Sequence, residues 1–308
     1  MHLIESAQWR LWANADNGAE WLAAQVNLHG SWQNVVPDCR RPQERSVDQQ
    51  DAQSVETLAA ASFHMIPYSN RIRDGNFNFQ NQTYQLENSA GHAIHGALRN
   101  LPWVVIDATS SAFVCEIDSR NHAGVNWPWP IRARITHEIN GASLSSTIEL
   151  ENLGNSAMPA GLGWHPYFVR QIGNSQPTLT LPVNSVFPDA SGDCLPDGKA
   201  VALPGALDFR APRQLDASQR IDCCFSGLSG SSIIHWREAG IRLAICASEE
   251  CRFLVLFNPD KPYFAVEPVS NANDAFNLTS QGIDSGTRTV LPGQKVLSRL
   301  HIEASAGQ

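Results

Sequence analysis

The chain has 308 residues, 43% of them hydrophobic and 17% charged, so it can bury a large core, and its 21 Gly and 18 Pro are scattered rather than periodic. That composition excludes disordered and fibrous classes. Lys and Arg total 22 against 30 Asp and Glu, a formal net charge of -8, which leaves no basic footprint for a nucleic-acid backbone.

In chain order, the first residues, from Met1 to Glu5, carry neither a basic leader nor an apolar run, which predicts a cytoplasmic protein. Residues 39–54, rich in Arg, Gln and Asp, read as an exposed polar loop, and residues 55–62 as a short helix. Strict alternation then marks strands over residues 132–139, with Ala133 and Ile135 inward, and over residues 143–151, with Leu144, Ser146, Ile148 and Leu150 on one face. Turn chemistry gathers at residues 188–192 and 195–198. Period-two strands return at residues 241–246 and 296–302, all-apolar central strands at 253–257 and 263–266, and a second short helix at 273–280. Neither helix is long enough to cover a parallel sheet.

The pattern predicts one large all-β domain over residues 1–308, an antiparallel sandwich of two packed sheets with few short helices. No window reaches the roughly 18 to 20 apolar residues of a membrane helix. Seven dispersed cysteines, an odd number that includes the vicinal Cys223 and Cys224, read as reduced thiols.

Five places set ionisable groups among Gly, Pro and aromatic residues. Arg71, before the turn at Gly75, is either a solvated surface charge or a grip for hydroxyls or a carboxylate. His92 and His95 stand three apart, but no companion carboxylate at helical spacing supports a metal site. His165 lies between Trp164 and Pro166-Tyr167-Phe168, and is either a core histidine or an imidazole wedged among three aromatics. Asp222 reads as a turn cap or a ligand group. Glu267 ends a buried strand on the face of Tyr263 and Ala265, where a carboxylate needs a partner or a task. Two imidazoles, an Arg and two carboxylates, with Trp faces for the C–H side of a ring, suit acid–base work on a polyol.

Asn70-Arg71-Ile72 with Gly75, His92-Ala93-Ile94-His95-Gly96 with Pro102-Trp103, Gly163-Trp164-His165-Pro166-Tyr167-Phe168, Asp222 before Phe225, and Val266-Glu267-Pro268 through Asp274 and Asn277 stand in a definite order. In that order the sequence resembles the aldose 1-epimerase (mutarotase) family over about residues 60 to 300. The resemblance implies a galactose mutarotase-like β-supersandwich, Glu267 as general base, His165 as general acid, and Arg71, His95 and Asp222 holding the sugar. The expected partner is a small-molecule sugar, with no metal or cofactor required, and with a monomer and a homodimer both open. Two rival readings remain: a hexose-6-phosphate 1-epimerase, for which Arg73 and Arg99 are the nearby cations, and a carbohydrate-binding protein without turnover.

Overall fold

The computed structural model describes residues 1–41, 44, 58–87 and 91–307. Among them lie 26 strands and one α-helix, Ala275–Ser280. One sheet of 11 strands runs from His2–Glu5 through Glu20–Asn27, Ser62–Met65, Gly163–Val169, Tyr263–Val269, Phe253–Asn258 and Ile221–Ser226 to Val201–Ala202. A second sheet of nine strands runs from Val104–Ala108 through Ile131–Asn140, Ser143–Asn152, Lys295–Ala306 and Ile241–Ala247 to Arg213–Gln214. The pairs that build both sheets are antiparallel.

One apolar cluster reaches from Ile4 to Ala304 and joins the inner faces of both sheets. The sequence periodicity holds where one face is wet: in Ser143–Asn152, Leu144, Ser146, Ile148 and Leu150 are buried and their neighbours half-buried. Trp164 turns into the same interior, and its indole N–H donates to Ser146 Oγ of the opposite sheet at 3.0 Å. Because successive strand residues point to opposite faces, His165 and Tyr167 must then leave by the outer face of the 11-stranded sheet. A second cluster, including Phe63, Met65, Phe187, Cys224, Phe253 and Val255, forms an apolar floor there.

The expectation of few short helices holds, with residues 273–280 realised as Ala275–Ser280. The helix expected at residues 55–62 does not extend through its described part, because Ser62 opens the buried strand Ser62–Met65; its first three residues lie outside the described residues. The exposed loop expected from residue 39 is corrected at its start. Arg40 is buried, bridged to Asp38 at 2.7 Å and lying 3.9 Å from the Trp12 ring centroid. Apart from Arg41 and Glu44, the rest of that segment lies outside the described residues. Cys115, Cys194, Cys223, Cys224, Cys246 and Cys251 are free thiols, and among the described residues no helix is long and apolar enough to cross a membrane.

Two buried imidazoles, His64 and His137, stack across the interior at 5.2 Å between ring centroids. Burial holds His137 down to about 4, and burial together with the neighbouring imidazole holds His64 well below the usual histidine value. The unfolded chain therefore takes up protons below about pH 6.5 that the folded chain refuses, so this contribution to stability is lost as pH falls from 6.5 toward 4. In urea unfolding, His137→Gln is expected to remove up to about 1.4 kcal/mol per pH unit of that dependence. An unchanged slope would contradict it.

Candidate active site

The register explains how distant residues meet. Phe63 pairs with His165, Gly163 with Val269, and Tyr167 with Ala265, which sets His165 opposite Glu267. Glu267 pairs in turn with Val255, and Val255 with Cys224. Residues directly opposite in an antiparallel sheet share a face, so one row crosses five strands and carries an imidazole beside a carboxylate. Pro166 and Pro268, which have no N–H to give, stand within the stretch between the two ladder ends where side chains rather than backbone make the contact.

His165 Nε2 lies 3.2 Å from Glu267 Oε1, and both residues are buried, Glu267 to 1% exposure. Glu267 Oε2 accepts no hydrogen bond within the described protein. Burial pushes the Glu267 carboxyl well above its usual range, the charge of Asp222 adds to this, and the Arg71 guanidinium opposes it. The same burial, helped by Arg99, pushes His165 down to about 3. In the free protein the pair therefore holds one proton on the carboxyl and presents a neutral imidazole.

Arg71 lies in the two-residue strand Arg71–Ile72, paired with Ala93–Ile94, so the His95 that follows is delivered beside it. His95 has φ +61, its N–H donates to the Asn70 carbonyl at 2.8 Å, and its ring meets His165 edge-on at 5.2 Å. Burial holds its ring well below the usual histidine value, and the neighbouring His165 ring, Arg99 and Arg71 all disfavour a second charge there. Asp222 is no turn cap: it sits in Ile221–Ser226, opposite Phe257, which pairs with Ala265 two residues from Glu267. Burial raises its carboxyl, while a hydrogen bond from Cys194 and the charge of Arg71 pull it back.

All five expected residues thus converge on the outer face. Asp274 and Asn277, which the motif order also singled out, do something else. The Asp274 carboxylate accepts the Arg73 N–H at 3.0 Å and the Asn277 amide at 2.8 Å, and the Asp274 N–H donates to the Arg71 carbonyl at 2.7 Å. They clamp the turn that carries Arg71. The paired imidazoles of the motif divide: His92 Nδ1 accepts the Asp74 N–H at 3.0 Å, and His95 Nδ1 faces Met65 Sδ at 3.2 Å.

The aromatic wall differs from expectation. Trp164 and Phe168 point into the core and Trp103 is buried with its N–H on the Leu98 carbonyl, so the rings beside His165 are Tyr167 and Phe63, each at 4.5 Å. Sequence reasoning missed Phe63, whose only signal is its place in a short apolar run. Arg99 lies 4.4 Å from the Phe63 ring centroid, within electrostatic reach of both histidines.

A profile of the family described as aldose 1-epimerase matches residues 17–303. The chain belongs to the aldose 1-epimerase family. It is 25% identical over 292 residues to the Escherichia coli K12 protein named uncharacterized protein YphB, covering 89% of this chain and 91% of that one. Its fold is similar to a crystal structure of a galactose mutarotase-like protein from Clostridium acetobutylicum, with TM-score 0.82, 20% identity, and coverage of 99% and 94%. It is also similar to one of a putative aldose 1-epimerase from Escherichia coli K12, with TM-score 0.81, 18% identity, and coverage of 99% and 98%. The expected galactose mutarotase-like antiparallel fold is therefore the fold of this chain.

The burial of the pair makes a spectroscopic prediction. The ring nitrogens of His165 are expected to keep neutral-imidazole shifts in 15N spectra from pH 8 down to pH 5. A titration centred near 6.5 would contradict the neutral pair.

Proposed function

We propose that the protein is an aldose 1-epimerase that interconverts the α and β anomers of a free aldohexose by opening and closing the hemiacetal ring. The observation that carries this reading is the 3.2 Å contact between a buried carboxyl and a buried imidazole whose protonation tendencies are pushed in opposite directions. The free pair stores one proton on the carboxyl, and a sugar that offers a hydroxyl to the carboxyl and a ring oxygen to the imidazole gives that proton somewhere to go, which is what anomer interconversion asks of a catalyst.

The reaction needs the C1 hydroxyl proton removed and the ring oxygen protonated. Passage of the shared proton from Glu267 to His165 generates the working form, a carboxylate beside an imidazolium, with no change in total charge. Arg71 favours that carboxylate. Glu267 then takes the C1 hydroxyl proton through Oε2 and His165 gives its proton to the ring oxygen. The C1–O5 bond breaks, the aldehyde forms, and rotation about C1–C2 presents the other carbonyl face. Closure runs both transfers backwards, so the pair regains its starting proton count. Arg71, His95 and Asp222 would hold hydroxyls, with Phe63 and Tyr167 as apolar walls.

A protein that only binds sugar has no need of a carboxyl and an imidazole buried together, since each costs free energy to dehydrate. Glu267→Gln and His165→Asn are each expected to slow the polarimetric relaxation of fresh α-glucose or α-galactose by roughly 10²-fold or more. Near-wild-type relaxation in either variant would remove its role.

The pair is active while it holds one proton. His165 is pushed down and Glu267 up, so the acid limb of the rate lies well below 6.5 and the alkaline limb well above the usual carboxylate range. The acid limb of the pH profile is accordingly expected well below 6.5, and an acid limb centred at 6.5 would contradict it.

A further inference from the structure

Beside Phe63 and Tyr167, the two rings that flank His165, a cavity of about 160 Å³ is lined by Asn17, Glu20, Phe63, Arg99, Asn100 and Tyr167 among others. Glu20 is buried to 5% exposure, and its two oxygens each accept one amide, from Asn14 at 3.2 Å and from Asn17 at 2.7 Å. A carboxylate accepts about four hydrogen bonds, so acceptor capacity remains on Glu20. Arg99 is half-buried; its Nε reaches Asn100 Oδ1 at 3.4 Å, and among the described residues no carboxylate lies within ion-pair distance of it. Burial raises the Glu20 carboxyl, opposed by the two amides and by the charge of Arg99, and burial lowers the Arg99 guanidinium, opposed by Tyr167 and Glu20.

The fold locks these two side chains into one place. Gly18 and Ala19, both at positive φ, form the turn before Glu20. The Gly18 N–H donates to the Leu101 carbonyl at 2.8 Å, and the imidazoles His64 and His137 meet the Gly18 and Ala19 carbonyls at 3.3 Å each. A Cβ on Gly18 would collide with the backbone carbonyl of Arg99, so the turn that delivers Glu20 is seated on the segment that delivers Arg99.

We propose that Glu20 and Arg99 form a binding subsite for the part of the sugar remote from C1, one that accepts uncharged hydroxyl-bearing groups and rejects a phosphate there. The inference rests on the mutarotase reading above. A hydroxyl both donates and accepts, and a carboxylate beside a guanidinium satisfies both roles. A phosphate only accepts, and it would meet a single arginine with the buried Glu20 carboxyl lining the same cavity. Arg73 offers no relief, because its Nε lies 3.6 Å from the Asp274 carboxylate. A subsite built for phosphate would gather unopposed cations instead.

The test measures anomer equilibration of glucose and of glucose 6-phosphate with the wild-type protein, Glu20→Gln, Arg99→Met and the double variant. The wild type is expected to prefer glucose by at least tenfold in kcat/KM. Glu20→Gln should narrow that preference at least fivefold, chiefly through KM for the phosphate, and adding Arg99→Met should erase the gain. Arg99→Met alone should widen the preference and raise KM for glucose more than it lowers kcat. Because the ratio is taken within each variant, partial loss of folded protein does not imitate the effect.

Equal use of both sugars by the wild type, an unchanged ratio in Glu20→Gln, or a gain that survives loss of Arg99 would overturn the subsite. A wild type that accelerates neither sugar would overturn the mutarotase reading itself, a distinct outcome.

Discussion

Removing a carboxyl and an imidazole from water in the same place leaves one proton to be shared between them, and the outer face of the 11-stranded sheet is organised around that constraint. Dehydration pushes Glu267 up and His165 down, so the uncharged form of the pair is the cheap one. Arg71 and Asp222 adjust the balance from the carboxylate side with opposite signs. Arg99 acts from the imidazole side and disfavours the imidazolium. The proton therefore rests on the carboxyl, and among these charges Arg71 is the one that favours its departure.

The scaffold supplies this by register rather than by loop geometry. Five neighbouring strands place Phe63, His165, Glu267, Val255 and Cys224 level with one another, and the apolar members of the row exclude water around the polar ones. Loops then complete the site, but they are tied to the sheet. A Cβ at Gly161 would collide with the Asn271 side chain, whose Oδ1 accepts the Ser69 N–H at 3.2 Å just before Arg71. Asp274 and Asn277 fix the following turn. Thus the residues expected to bind hydroxyls sit on short segments whose freedom has been removed by buried hydrogen bonds.

Much of the fold was legible because half-buried strands alternate, as in Ile131–Asn140 and Ser143–Asn152. Glu20–Asn27 was not, since seven of its eight residues are buried and alternation vanishes. Strands of two residues, such as Arg71–Ile72 and Ala93–Ile94, are too short to show any period. The five residues expected to form a site were picked out by ordered motifs, in which Gly, Pro or aromatic residues stand close by in the chain. The Trp platform was a misreading of neighbours in sequence as neighbours in space: Trp164 adjoins His165 along the chain and faces the opposite way. Glu20 escaped notice because a lone carboxylate at a strand start looks solvated. Its signal, two Asn side chains three and six residues earlier, acquires meaning only once the Gly18 turn is folded.

Whether Glu267 and His165 work as one unit is most directly settled by exchange spectroscopy between the α and β anomer resonances of an aldose at equilibrium, with the wild type, each single variant and Glu267→Gln/His165→Asn. If one proton shuttles between the two groups, losing either disables both. The double variant should then exchange the anomers no more slowly than the worse single variant. Losses that multiply in the double variant, or exchange that persists in a single one, would contradict a shared-proton catalyst.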